Sequence, residues 1–246
     1  AVSRGGWLQK LYEVLAAKQI GKLLVAPGTP HGQRAASELP ALGIACPAYD
    51  APIESWKDLT RPEFKGKVVM PNPNSSGTGF LDVTAWLQMF GEKGGWEFMD
   101  GLHENVAMYT HSGSKPCVMA GAGEFPVGIS FEYRANTIRE KGAPIDVVFP
   151  SEGLGWDVEA IAIVKDTPRL EAARKLADWA STREANELYA KNFAVVAIPG
   201  IATRLTHVPA DYEQRLVKND FAWMAENRET ILNEWQKRYA NKSEAK

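Results

Sequence analysis

No apolar run in this 246-residue chain approaches the roughly 20 residues that a membrane-spanning helix requires, so the sequence predicts no transmembrane helix. The opening Ala1-Val2-Ser3-Arg4 has no charged segment leading into a signal-peptide core, although a signal already removed would leave the same start. Histidine is scarce. His31, His103, His111 and His207 are scattered, and none pairs with a cysteine or carboxylate at metal-ligand spacing, which leaves a zinc or catalytic role with little support. The two cysteines, Cys46 and Cys117, lie far apart and match no redox or metal spacing. They fit a bridge or two buried thiols, and we read them as structural thiols. An excess of one charge is missing too: 28 Lys and Arg stand against 30 Asp and Glu, a formal net charge of -2. That balance excludes broad attraction to nucleic acid or anionic membranes, so any bound anion must be held by a local site.

What is present describes an ordinary globular chain, 45% hydrophobic and 24% charged, with material for one large or two modest cores. Residues 7–17 form an apolar helical stretch, followed by the breaker cluster Pro27-Gly28-Thr29-Pro30-His31-Gly32. Lys67-Val68-Val69-Met70 reads as a short strand ended by Pro71-Asn72-Pro73. Phe80, Val83, Trp86, Leu87 and Phe90 then carry helical spacing, and a second helix is expected near Gly94 to Leu102. Lys115 to Ala122 reads as a short helix. Pro126 to Phe131, Ile145 to Phe149 and Ala160 to Val164 read as strands, the last followed by Thr167 as N-cap and Pro168 as the first helical residue. Ser181 to Glu184 has capping-box spacing, and Asp211 to Tyr239 is again amphipathic. Strands alternating with helices indicate an α/β sandwich.

Asn74-Ser75-Ser76-Gly77-Thr78-Gly79 is the most informative stretch, because it joins a strand end to a helix start with three hydroxyls and two glycines. A helix N-terminus offers unpaired N–H groups and a partial positive charge, glycines permit close backbone approach, and hydroxyls add donors. Together they suit a phosphate-like anion, whereas simple capping by Ser75 or Ser76 explains one hydroxyl but not three. The stretch is neither G-x-x-x-x-G-K-[ST] nor G-x-G-x-x-G, where Asp82 replaces the last glycine, nor G-x-S-x-G, broken by Asn74. Tyr109-Thr110-His111-Ser112-Gly113-Ser114-Lys115 repeats the logic ahead of the next helix, with capping by Ser112 or Ser114 as the simpler alternative. Tyr133 follows the run Gly128 to Glu132, where loops leave an α/β sheet; it is also readable as a buried tyrosine. Gly155-Trp156-Asp157-Val158-Glu159 combines an aromatic face with two carboxylates, which suits an ammonium group, or else forms a solvated turn around a core tryptophan.

From about Ser55 to Lys246 the sequence resembles the 2-aminoethylphosphonate-binding branch of the ABC-transporter solute-binding proteins, relatives of ferric-ion and polyamine binders. Ser55 to Leu59, Met70 to Phe80, Tyr109 to Pro116, Gly128 to Arg134, Pro150 to Glu159 and Lys218 to Trp223 carry the resemblance. It implies a type II periplasmic-binding fold, two α/β lobes around a ligand cleft. The first lobe would comprise 1–55 and 156–205 and be incomplete, because residues 1 to about 50 lack the family's opening strand-helix-strand pattern. The second would be 56–155, with 206–246 as C-terminal helices packing on both. The resemblance places Ser75, Ser76, Gly77, Thr78 and Ser112 around a phosphonate with Tyr133 nearby, and Trp156, Asp157 and Glu159 at an amino end. It implies a periplasmic, monomeric binding protein with no cofactor and no nucleic-acid partner, delivering its ligand to the membrane permease of an ABC importer. Phosphate-ester or ferric binding and a phosphonate-processing enzyme are the alternatives. The adjacent tyrosine pair typical of ferric relatives is absent, since Glu132 and Arg134 flank Tyr133.

Overall fold

The chain divides into two units, Ala1–Pro52 and Ile53–Lys246. The structure, a computed structural model, describes residues 53–157, 161–191, 196, 198–201, 209 and 211–245, all in the second unit. The expectations for residues 7–17 and 27–32, and for Cys46, Glu159 and His207, lie outside the described residues.

Strand β1 (Val68–Pro71) is buried along its whole length and forms the centre of a parallel sheet. It pairs with β2 (Val106–Thr110) on one side and β3 (Val127–Gly128) on the other, in the order β2-β1-β3. Parallel neighbours need long crossovers, which explains the helix between each successive pair. Helix α1 (Gly77–Asn105) connects β1 to β2, and α2 (Lys115–Gly121) connects β2 to β3. Gly91, at φ 72° and ψ 165°, interrupts α1, so the two expected helices are present as two stretches joined at a residue that only glycine adopts easily. The expected apolar stripe holds: Phe80, Val83, Trp86 and Leu87 are buried, against β1 and the 3-10 turn Trp56–Thr60. Trp56 and Phe98 meet Trp86 edge-on at 5.4 and 5.2 Å, the offset geometry that aromatic quadrupoles favour.

After β3 the chain turns into α3 (Glu132–Glu140), so the strand expected over Pro126 to Phe131 shrinks to two residues. A side chain at Gly128 would meet the Pro116 carbonyl carbon at 2.7 Å, and this tight crossing over α2 leaves little room for a longer ladder. The runs 145–149 and 161–164 form no strand among the described residues, because β-branched composition makes a strand only where a neighbour supplies a ladder. Helix α4 (Leu170–Ala180) starts later than Thr167-Pro168 suggests, and the Thr167 hydroxyl accepts from the Arg169 N–H at 3.3 Å. Helix α5 (Arg183–Lys191) is capped by Thr182, which accepts from the Ala185 N–H at 3.2 Å, rather than by Ser181. The Ser181 hydroxyl donates to the Asp178 carbonyl and the Thr182 hydroxyl to that of Trp179, both in the last turn of α4.

Beyond the short α6 (Tyr212–Arg215), helix α7 (Phe221–Tyr239) starts at Asp220, whose carboxylate accepts from the Trp223 N–H at 2.9 Å. Trp235, almost fully buried, meets Tyr109 of β2 edge-on at 4.8 Å. The chain then lays Ser243 alongside Tyr109 as a parallel bridge, extending the sheet past β2. No described helix is long and apolar enough to cross a membrane.

The closest approach of helix to strand exit is at Gly79. A Cβ there would stand 2.6 Å from the Pro71 carbonyl oxygen, 2.8 Å from the Pro73 nitrogen and 2.9 Å from the Asn72 carbonyl carbon, all backbone atoms that cannot rotate aside. Gly79→Ala is therefore expected to destabilise by about 1–3 kcal/mol, the usual cost of overpacking. Gly77→Ala, which meets nothing within 4 Å, is the matched control and should be near neutral. Urea unfolding of the two variants beside the parent protein checks this, and equal midpoints for both would remove the steric argument.

Candidate functional site

Adjacent parallel strands deliver their following loops to the same sheet edge, and β1 and β2 do this with the two hydroxyl-rich loops. Asn72 shapes the first. Its N–H donates to the Thr110 carbonyl at 2.8 Å, carrying the ladder one residue past β1. Its side-chain Oδ1 accepts from the Asn74 N–H at 2.8 Å, and its carbonyl accepts from the N–H groups of Ser75 and Ser76 at 3.1 and 2.9 Å. The chain is thus turned sharply into α1. Ser76 is the N-cap, with its hydroxyl 3.5 Å from the Gly79 nitrogen, so the simpler capping role applies to one of the three hydroxyls. Gly77 and Thr78 head the helix, where N–H groups have no intrahelical acceptor and the macrodipole is positive.

The second loop closes against the first. Gly113 lies so near that a side chain there would clash with Thr78 and come within 3.1 Å of the Ser76 hydroxyl. Thr110 Oγ1 donates to the Ser112 carbonyl at 2.9 Å, the hydroxyls of Ser112 and Ser114 are 3.1 Å apart, and Ser130 donates to the Gly113 carbonyl at 2.5 Å. His111 joins the loops, its Nδ1 being 2.9 Å from Ser75 Oγ. The C-terminal segment braces the arrangement. Glu244 pairs with Lys115, accepts from the His111 N–H at 3.1 Å and offers its carbonyl to His111 Nε2 at 3.1 Å. Ser243 accepts from Asn72 Nδ2 at 3.0 Å.

Of the residues singled out in the sequence, the structure brings Ser75, Ser76, Gly77, Thr78 and Ser112 into one neighbourhood. Ser75 and Ser112 are exposed, Ser76 and Thr78 half-buried. Tyr133 sits differently from expectation: it lies in the first turn of α3 rather than in a loop, its ring exposed and stacked on Phe131 at 6.2 Å. Trp156 donates its indole N–H to the Val217 carbonyl at 2.6 Å and meets Phe221 edge-on at 5.3 Å, which ties it to the start of α7. Gly155 packs on Leu81 and Ala85 of α1, about one to two turns from Thr78, and Asp157 is exposed. Sequence reasoning missed Ser130 and the connecting role of His111. The latter was visible only as a histidine inside a hydroxyl-rich loop, and its partners stand 36 and 133 residues away.

Two buried groups carry shifted acidities. Asp82, on the face of α1 below Thr78, keeps some accessible surface as a residue, but its Oδ2 is buried and has no hydrogen-bond partner among the described residues. Burial pushes its carboxyl well above the usual range. Burial also raises the thiol of Cys117, a free and buried cysteine, consistent with the structural role expected of it. A shallow groove of about 440 Å³ lies between Asn74 and α7 residues such as Glu226, Arg228 and Glu229. Its lining mixes charges and includes none of the loop hydroxyls, so it is distinct from the cluster just described. Among the described residues no group of three or more His, Cys, Asp or Glu is placed to hold a metal ion.

This α/β unit with its parallel sheet has the type II periplasmic-binding fold. The chain superposes on the periplasmic binding protein AfuA of Actinobacillus pleuropneumoniae, solved with exogenous fructose-6-phosphate bound, with a TM-score of 0.67 and 29% identity over 83% of this chain and 64% of that one. It superposes on a Bordetella ferric binding protein with a TM-score of 0.57 and 20% identity over 77% of this chain and 64% of that one, a likeness of fold alone. In sequence it is 27% identical over 212 residues to the spermidine/putrescine-binding periplasmic protein of Escherichia coli, covering 80% of this chain and 56% of that protein. An uncharacterized protein of Haemophilus influenzae is 36% identical over 133 residues, 54% of this chain and 38% of its own length. The chain thus spans less than two thirds of each of these relatives. The family described as bacterial extracellular solute-binding protein matches residues 38–226, and the chain belongs to it.

Asp82 gives a pH test. An acid whose folded pKa is raised binds its proton more tightly in the folded state, so the stability it confers is complete below its unfolded pKa. That stability is lost as pH rises through the folded value. Asp82→Asn should therefore gain stability relative to the parent as pH rises from 4 to 8, measured by urea unfolding at each pH. A constant difference across that range would show that Asp82 is solvated or paired.

Proposed function

We propose that this protein is an extracytoplasmic solute-binding protein of an ABC importer that captures a small organic phosphonate, with 2-aminoethylphosphonate as the favoured ligand. The observation that carries the reading is the contact between the two loops, which gathers Ser75, Ser76, Thr78 and Ser112 at the N-terminus of α1. A tetrahedral anion has oxygens pointing several ways. Hydroxyls from two loops, the free N–H groups of a helix start and its positive field match that charge and geometry. The same polarity is wrong for a polyamine, which calls for carboxylates, and the ferric relatives' tyrosine pair has no counterpart at Tyr133. The division into lobes near residue 155 belongs to this proposal, as do the periplasmic location, the permease partner and the monomeric state. Glu159 and the exposed Asp157, beside Trp156, remain the candidates for the amino end.

A second reading, a phosphate ester as ligand, is favoured by the 29% identical relative solved with fructose-6-phosphate. Both readings use the same anion site and differ in the organic group. We read the protein as binding its ligand rather than converting it, because its family is one of solute-binding proteins. The one hydroxyl of the cluster set against a base is Ser75 on His111, with the Glu244 main-chain carbonyl rather than a carboxylate on the far side of the ring, and the phosphate-release assay below tests it.

Calorimetry should find 2-aminoethylphosphonate binding about ten- to a hundredfold more tightly than ethylphosphonate, the ratio one charge-assisted hydrogen bond of about 1.5–3 kcal/mol supplies. Asp157→Asn combined with Glu159→Gln should erase that preference, and Thr78→Val should weaken both ligands. Tighter binding of fructose-6-phosphate than of either phosphonate would move the assignment to the phosphate ester. Release of free phosphate from 2-aminoethylphosphonate would overturn the binding role, and no binding of any of the three would sink the anion site.

A further inference from the structure

The two nitrogens of His111 face different chemistry. Nε2 stands 3.1 Å from the Glu244 carbonyl oxygen, which can only accept, so Nε2 carries a proton. Nδ1 stands 2.9 Å from Ser75 Oγ, which can accept or donate. With the ring neutral and its proton on Nε2, Nδ1 has only a lone pair. Ser75 must then donate its hydroxyl proton to the ring and present only lone pairs outward, the wrong polarity for an anion. With the ring protonated, Nδ1–H donates to Ser75 Oγ instead. The Ser75 proton is freed to rotate toward an oxyanion, and a positive charge stands behind it.

We infer that His111 is a proton-linked positioning residue for the anion site, reversing the Ser75 hydroxyl from acceptor to donor as the ring takes up a proton when a phosphonate or phosphate binds. The inference rests on the anion-site reading above. The charged groups facing the ring come from two elements. Glu244, on the C-terminal segment, accepts from the His111 backbone N–H and offers its carbonyl to Nε2. Lys115, heading α2, is paired with the other oxygen of that same carboxylate. Glu244 is thus shared between a cation and the His111 main chain, and its side chain does not compete for Nδ1. The ring's free valence points at Ser75 alone among the described residues. A ring that merely tied two loops together would not need this alternation, because a backbone N–H donor would do so at any pH.

Two measurements test this. Without ligand, the ring nitrogen shifts of His111 in its neutral form should report the Nε2–H tautomer, and a dominant Nδ1–H tautomer overturns the inference whether or not anything binds. With 2-aminoethylphosphonate, fructose-6-phosphate and inorganic phosphate as probes, calorimetry in two buffers of different ionisation enthalpy reads the protons taken up on binding between pH 6 and 8. The ligand's own ionisation is common to all variants and cancels in the comparison. The parent protein should take up more protons than His111→Gln. Its affinity advantage over that variant should be about tenfold larger at pH 6 than at pH 8, the ratio one charge-assisted hydrogen bond supplies. Ser75→Ala, which retains the histidine, should show the same reduced proton uptake. Parallel pH profiles in all three with binding retained overturn this inference alone, and absence of binding of every probe by the parent at any pH overturns the anion site and this inference with it.

Discussion

The absence of a side chain at Gly79 is the constraint on which the rest of the site depends. Because a Cβ at that position would stand 2.6 to 2.9 Å from backbone atoms of Pro71, Asn72 and Pro73, the first turn of α1 lies directly on the chain leaving β1. A larger residue would lift the helix start off the sheet edge. The hydroxyls of Ser76 and Thr78 would move with it, and so would the contact with Gly113 that brings the second loop up to the first. The helix N-terminus is then fixed by backbone atoms that have no rotamers to explore, a form of preorganisation that lowers the entropic cost of holding a ligand.

The C-terminal segment adds a second restraint from the far end of the chain. Ser243 is held by Asn72 and by the bridge to Tyr109, and Glu244 reaches both His111 and Lys115. The individual polar contacts at this half-exposed surface are worth little each, on the order of 1 kcal/mol or less. Their effect is geometric. Trp235 and Tyr239 bury α7 against Tyr109 and His103, and that apolar packing supplies the stability while the polar contacts set the position of the loops.

Local chemistry was legible in the sequence, and long-range closure was not. The strand at Val68, the helix stripe through Phe80 and Trp86, the start of α2 at Lys115 and the hydroxyl-rich turn after Asn72 follow from nearest-neighbour rules of period, capping and turn residue, and the structure contains each. The strands expected at 145–149 and 161–164 depend on a ladder partner that composition cannot name. Tyr133 was misplaced because β-branched and aromatic residues before it suggested a strand, whereas the crossing of Gly128 over Pro116 ends the ladder early. His111 could be seen, but its bond to Ser75 and its hold on Glu244 are products of the fold.

Asp82 is best understood through the anion proposed above it. A carboxylate at the start of a helix is normally favoured by the dipole, by about 0.3–1 kcal/mol, but the effect fades beyond the first turn. Asp82 lies five residues in from Gly77, about 7.5 Å along the axis, where the desolvation of a buried charge outweighs it. Burial therefore favours the neutral acid. That preference matters to the site, because an ionised carboxylate at that distance would repel a bound anion by about 2 kcal/mol at an effective dielectric constant near 20. It would also cancel part of the positive field of the helix start. A carboxyl pushed toward its neutral form weakens that repulsion, so the same desolvation that costs the fold stability as pH rises works in favour of an anion at the helix N-terminus.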